Sequence, residues 1–293
     1  MSKKSKELKE KSFNNEVGIN KYFGKNILIK SCITTVLIIV LLSLSISFKE
    51  KITKLTIISV DSFLTCGYIF LSFSIISLII SLFILFIKNI STIFGYYAYT
   101  IHDLINFIIA VIYIIFFILS FLLTPTTVSG SSMNNTLYDS DMLLVWHLNY
   151  KPKRDDVVII DISNTTYPVK VEEQFYIKRI VALEGDKLTY QNDSTSIYGQ
   201  FYVNDTLVEE KMRYSEFSTL CSIYTGSNFT PFTSNTYEAY VPVGYSVVLG
   251  DNRNNSNDSR YIGAIKNSDI LGKALFRYFS KSGSIGKIGK NII

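Results

Sequence analysis

Histidine is nearly missing from this chain of 293 residues: His102 and His147 are the only two, and neither has Asp or Cys at ligand spacing. Cysteine is almost as scarce. Cys32 and Cys66 fall inside apolar stretches and Cys221 stands alone, an odd, widely spaced set that gives neither a disulfide framework nor a zinc motif. Metal chemistry and a disulfide-stapled fold are therefore set aside, and no cofactor is expected. Charge is also short, at 18% of residues against 48% hydrophobic, which is too apolar for an ordinary soluble domain. What charge there is sits unevenly. The formal net charge is +5, and residues 1–25 alone carry seven Lys and three Glu. No aromatic or glycine-rich pattern accompanies that run, so nucleic acid is not its expected partner. Next to an apolar span, Lys and Arg mark the cytoplasmic side instead.

Three uncharged stretches are long enough to cross a bilayer. Residues 31–48 hold 18 residues between Lys30 and Lys49, residues 62–87 hold 26 up to Lys88, and residues 104–124 hold 21 between Asp103 and Pro125. Eighteen residues span roughly 27 Å as helix. The stretches are apolar on every face rather than striped, which excludes the buried helices of a soluble protein. A cleavable leader does not fit either, because the basic region is long and no small-x-small exit follows the first span. The expected organisation is a basic cytoplasmic tail over 1–30, a membrane region over 31–124 with three helices, and an extracytoplasmic domain over 125–280. A C-terminal tail covers 281–293. One feature opposes this orientation: the first loop, Phe48–Lys54, carries three lysines and would lie outside.

After Pro125 the texture changes. Short runs of β-branched and aromatic residues, such as DVVIIDI and QFYIKRIVAL, alternate with clusters of Asn, Asp, Gly and Ser. The pattern predicts a mainly β domain with turn-rich connections. The polar stretch 192–236 reads as surface loops or a small β insertion.

Three polar segments in that domain need an account. Val128–Leu137 follows the third span and is rich in Ser and Gly, as a flexible linker would be. In Tyr176–Asp186 a lysine interrupts an apolar strand. Alternation puts Tyr176, Lys178 and Ile180 on one face and Ile177, Arg179 and Val181 on the other, and an edge-strand lysine that discourages aggregation would look the same. Leu249–Tyr261 reads alone as a charged surface turn. Together the three supply what a serine/lysine hydrolase needs: a hydroxyl, a base to activate it, and a polar group to orient the base. A lysine serves as base where burial disfavours its charged form. Neither histidine lies in these segments.

At this point the residues resemble a known family. Ser132-Met133-x-x-Thr136-Leu137 resembles the nucleophile box of bacterial type I signal peptidases, also called leader peptidases. Tyr176-x-Lys178-Arg179-x-Val181-x-Leu183-x-Gly185-Asp186 is similar to their lysine box. Gly250-Asp251-Asn252-Arg253-x-Asn255-Ser256-x-Asp258-Ser259-Arg260-Tyr261-x-Gly263 is similar to their third box. The resemblance covers roughly residues 120–280 and implies a mainly β catalytic domain of the signal-peptidase kind preceded by α-helical transmembrane segments.

It implies roles as well. Ser132 is the expected nucleophile, Lys178 its base, and Ser256 the hydroxyl that orients the lysine. The backbone N–H of Ser132 is one oxyanion donor. Asp251, Arg253, Asp258 and Arg260, with Arg179, are expected as structural ion pairs near the site. Some family members carry a second donor hydroxyl two positions before the nucleophile, where this chain has Gly130. Asn135 stands where proline is usual, Asp155 where glycine is, and Ala182 and Glu184 where the lysine box has Gly and Pro. Loss of the proline is expected to loosen the turn beside the nucleophile. The implied function is membrane-bound removal of signal peptides from exported preproteins after small residues, as in Ala-x-Ala sites. The implied partners are those signal peptides, the lipid bilayer and, as an open choice, the secretion translocon. A dedicated peptidase for one substrate or secretion system is an alternative within the chemistry, and an inactive scaffold of the same fold is one outside it.

Overall fold

Residues 3–48, 60–86, 92–163, 174–225, 231–233, 235–281 and 284–289 are described by a computed structural model of the chain. Lys49, Lys51 and Lys54 of the first loop lie outside them, as do residues 282–283 and 290–293 of the expected C-terminal tail. The chain divides into two compact units, Met1–Ile52 with Thr56–Phe121, and Thr53–Leu55 with Leu122–Ile293.

The first unit is helical: α1 is Lys3–Phe48, α2 Val60–Phe86 and α3 Thr92–Phe121. Each contains a stretch long and apolar enough to cross a membrane, Lys25–Ser47, Ser62–Ile84 and Tyr99–Phe121. The basic stretch expected as a tail is already helix from Lys3. Residues 3–17 contain no Gly or Pro and many Lys and Glu, which are good helix formers. The third helix starts before the expected position 104 because Asp103 does not end it; its carboxylate meets Lys30 Nζ of α1 at 2.7 Å. Inside the unit, hydroxyls face one another. His102 Nε2 lies 2.9 Å from Ser81 Oγ, 3.2 Å from Ser31 Oγ and 3.3 Å from Ser77 Oγ. Lipid offers these groups no partner, so they bond across helices.

The second unit is mainly β. Its strands are β1 Leu123–Thr127, β2 Met142–Trp146, β3 Val157–Asp161, β4 Phe175–Leu183, β5 Lys187–Asn192, β6 Tyr198–Val203 and β7 Thr206–Arg213, followed by β8 Pro231–Thr233, β9 Thr236–Tyr240, β10 Tyr245–Leu249, β11 Ile265–Lys266, β12 Ile270–Phe279 and β13 Gly286–Lys287. Helix α4 is Tyr214–Thr225 and α5 is Ser259–Ile262. The third span was expected to reach residue 124, but Leu123 and Thr124 pair with Trp146 and Val145. Pro125 explains the switch: it disfavours helix at the residue before it and is tolerated in an edge strand.

One antiparallel sheet runs β1-β2-β12-β3-β4-β10-β11, with β13 on β12. β3 is buried at all five positions, as a fully apolar run in mid-sheet should be. The other sheet runs β7-β6-β5-β9-β8. Among its described residues, the polar stretch 192–236 holds β6, β7, α4 and β8. Its strands join β5, and Phe217, Leu220 and Cys221 of α4 pack with Tyr190, Phe201 and Met212.

Candidate active site

Ser132 sits in a turn just after β1, the edge of the larger sheet, and Lys178 lies on β4. Three strands, β2, β12 and β3, separate β1 from β4. Even so, Lys178 Nζ is 2.8 Å from Ser132 Oγ, so the sheet curls until its edge approaches its middle. Lys178 is 3% exposed and its amine is engaged by Ser132, which removes the reading of a solvent-facing lysine that guards a sheet edge. Its amine also meets the carbonyl of Ile177 at 3.1 Å and lies 4.7 Å from the centre of the Tyr176 ring. Arg179 takes the opposite face, as alternation requires, and donates to Asp251.

The loop after β10 holds the nucleophile turn. The Asn252 N–H donates to Ser132 O at 3.0 Å, its side-chain amide donates to Ser131 O at 3.0 Å, and Asn255 Nδ2 donates to Ser131 Oγ at 2.9 Å. Sequence reasoning matched these two asparagines in the third box without giving them a task. Only the fold shows it, because their partners lie more than a hundred residues away. Gly250 permits the approach: a Cβ there would stand 2.5 Å from Ser256 Cβ and 2.6 Å from Ser132 O.

The turn itself is closed rather than loose. Asn134 N bonds Ser131 O, and both Thr136 N and Leu137 N bond Met133 O. Asn135 has φ +84°, a conformation that proline cannot take and asparagine tolerates. The expected loosening is thus replaced by a different turn. Asp155, at φ +66°, fills its glycine-like position for the same reason.

Ser256 is buried beside this turn, but the structure does not join it to Lys178. Its hydroxyl has no hydrogen-bond partner among the described residues. The charged residues pair as follows. Arg179 meets Asp251 at 2.7 Å with both side chains 1% exposed, and Arg260 meets Asp258 at 2.9 Å. Asp258 also accepts the Gly250 N–H at 3.0 Å, and Arg260 donates to Arg253 O at 2.7 Å. Arg253 finds its acid elsewhere, in Glu209 of β7 at 3.1 Å. A further clamp was not foreseen: Arg277 of β12 donates to Thr136 O at 2.9 Å and to Asp141 at 3.0 Å. Burial opposes ionisation of Asp141, yet Ser280, the Tyr138 N–H and Arg277 outweigh it and hold the carboxyl below its usual range. Among the described residues, the Ser132 N–H has no backbone acceptor. Among the same residues, no group of His, Cys, Asp and Glu could hold a metal ion.

A hydroxyl bonded to a buried amine, on a mainly β scaffold, is the arrangement that a serine hydrolase of the Ser/Lys kind would use. The profile of the family described as "Signal peptidase, peptidase S26" matches residues 101–279. Signal peptidase IB of Staphylococcus aureus is 29% identical over 162 residues, 54% of this chain and 79% of that protein. Signal peptidase I of Bacillus caldolyticus is 34% identical over 163 residues, 54% of this chain and 81% of that protein. A crystal structure of a signal peptidase I from Enterococcus faecalis, 26% identical, matches 42% of this chain and 97% of its own with a TM-score of 0.26. The chain belongs to the signal peptidase, peptidase S26, family, and it is a serine protease.

Proposed function

We propose that this protein removes signal peptides from exported proteins at the outer membrane face, with Ser132 as nucleophile and Lys178 as base. The observation that carries the reading is the 2.8 Å contact between Ser132 Oγ and a buried Lys178 Nζ. Burial raises the cost of an ammonium there, so the neutral amine that can accept a proton is favoured. Ser132 Oγ attacks the scissile carbonyl carbon as its proton passes to Lys178. The carbonyl electron pair moves onto oxygen, where the Ser132 N–H receives it. Collapse breaks the C–N bond, and Lys178 returns the proton to the leaving amine. Water then repeats the sequence on the acyl-serine. Ser256 is assigned to orient the amine during these steps, on the strength of a buried hydroxyl next to the nucleophile turn that still lacks a partner.

The strand pairing supports extended substrate binding. β3 pairs Phe175–Lys178 along one edge, while β10 reaches β4 only from Arg179 to Leu183. The other edge of Phe175–Lys178 therefore has no strand on it among the described residues, and β1 ends the sheet. A peptide strand added here takes up backbone hydrogen bonds. Met133 and Ile177, neighbours of the two proposed reacting residues, share one apolar cluster with Val128 and Leu137. The three apolar helices support a multi-pass membrane anchor, and the lysine-rich start supports a cytoplasmic N-terminus. Association with the translocon follows from the same reading. Full-length protein in detergent, given a preprotein with an Ala-x-Ala site, should cleave it at that site. Ser132→Ala should not. Cleavage by a folded Ser132→Ala protein would overturn the assignment.

A further inference from the structure

We propose that the hydroxyl of Ser131, oriented by Asn255, is the second oxyanion donor beside the Ser132 N–H, with Asn252 aiming that N–H. The inference rests on Ser132 being the nucleophile. It starts from the peptide unit between the two serines. Ser131 O is pinned by Asn252 Nδ2 at 3.0 Å and by Asn134 N at 3.1 Å. In a planar trans peptide the N–H points opposite to the carbonyl, so fixing Ser131 O fixes the direction of the Ser132 N–H. The same planarity places that hydrogen on the side of the Ser131 Cα. A Ser131 side chain can therefore stand beside the N–H and point the same way.

The Ser131 hydroxyl is prepared to donate. A hydroxyl offers one proton and two lone pairs. Asn255 Nδ2 gives its hydrogen to Ser131 Oγ at 2.9 Å, and no described residue accepts the Ser131 proton in return. Residue 131 is only half-buried, so an incoming carbonyl has access. Gly130, two positions before the nucleophile, supplies nothing comparable. It has no side chain, its φ of +85° strains any other residue, and its N–H is taken by Asp139 Oδ1 at 2.9 Å. In the reaction Ser131 exchanges no proton. As the carbonyl π pair moves onto oxygen, O–H and N–H both shorten their hydrogen bonds to it, and both relax when the C–N bond breaks.

Removing one oxyanion donor typically lowers kcat by about 10²–10³-fold. With the full-length enzyme and a signal-peptide substrate, Ser131→Ala should show a loss of that size with KM and the pH profile unchanged. Ser131→Thr, which keeps the hydroxyl, should recover most of the rate. Asn255→Asp replaces the donor by an acceptor that captures the Ser131 proton, and should reproduce the loss without lowering the melting temperature. Unchanged kcat in Ser131→Ala, alongside an inactive Ser132→Ala, overturns this proposal and leaves the nucleophile in place. Activity in Ser132→Ala overturns both.

Discussion

Arg179 and Asp251 are joined by two parallel hydrogen bonds, Nε to Oδ1 at 2.9 Å and Nη2 to Oδ2 at 2.7 Å. Arg179 follows Lys178 on β4, and Asp251 precedes Asn252, which holds the nucleophile turn. The pair therefore ties the strand of Lys178 to the loop that holds the turn of Ser132, the two halves of the proposed catalytic centre. Arg179 also donates to Asp155 O at 2.8 Å and to Gly289 O at 3.2 Å. Asp251→Ala leaves a buried guanidinium without its counter-ion, which typically costs about 3–5 kcal/mol. Denaturant unfolding should show a drop of that order, and an unmoved midpoint would mean the pair holds nothing together.

Lys178→Arg should fold and be inactive. The guanidinium keeps its charge but does not release its proton in proteins, so Ser132 has no base. Turnover of a preprotein, measured beside a melting curve, separates this from misfolding. Appreciable cleavage would remove Lys178 from the mechanism.

Gly250→Ala should lose both activity and stability. The added methyl meets the Ser132 carbonyl and the Ser256 side chain, and backbone on one side leaves little room to yield. A crystal structure of the variant should show the nucleophile turn displaced. A normal rate would show that the loop tolerates the shift.

Ser256→Ala should separate rate from stability. The hydroxyl is buried and unpaired, a state that costs about 1–3 kcal/mol, so its loss should leave the melting temperature level or higher. If it orients Lys178 during turnover, kcat should fall nonetheless. Full activity would take Ser256 out of the site.

His147 should make the β unit sensitive to acid. Burial lowers its pKa from 6.5 to about 4, and Nε2 has no partner among the described residues. The unfolded chain therefore binds a proton that the folded chain refuses. Stability contributed by the neutral ring is full above pH 6.5, falls as pH drops, and is gone below about 4, a change of about 3 kcal/mol. His147→Phe should flatten that part of the stability curve. An equally steep curve in the variant would assign the slope to other groups.

Local pattern made much of this molecule legible. The apolar runs, the β texture after Pro125 and the alternation around Lys178 are periodic signals carried by neighbouring residues, and the three boxes name Ser132, Lys178 and the ion-pair residues. The boundaries were harder because they depend on distant partners. Asp103 stays in α3 because Lys30 neutralises it, and Leu123 leaves the helix because Trp146 pairs with it. The work of Asn252 and Asn255 lies across the fold, and the φ of Asn135 is set by the turn that those residues brace. The partner of Arg253 lies in the second sheet, where no motif pointed.

The strand order also bears on timing. β12, Ile270–Phe279, lies between β2 and β3, although residues 147–269 separate it from β2 along the chain. Without it, the larger sheet falls into two pieces, β1-β2 around the turn of Ser132 and β3-β4-β10-β11 with Lys178. β12 must therefore be made before the turn of Ser132 and the strand of Lys178 are joined through one sheet. Such non-local closure is slow, so the contact between Ser132 and Lys178 is expected to form late in folding.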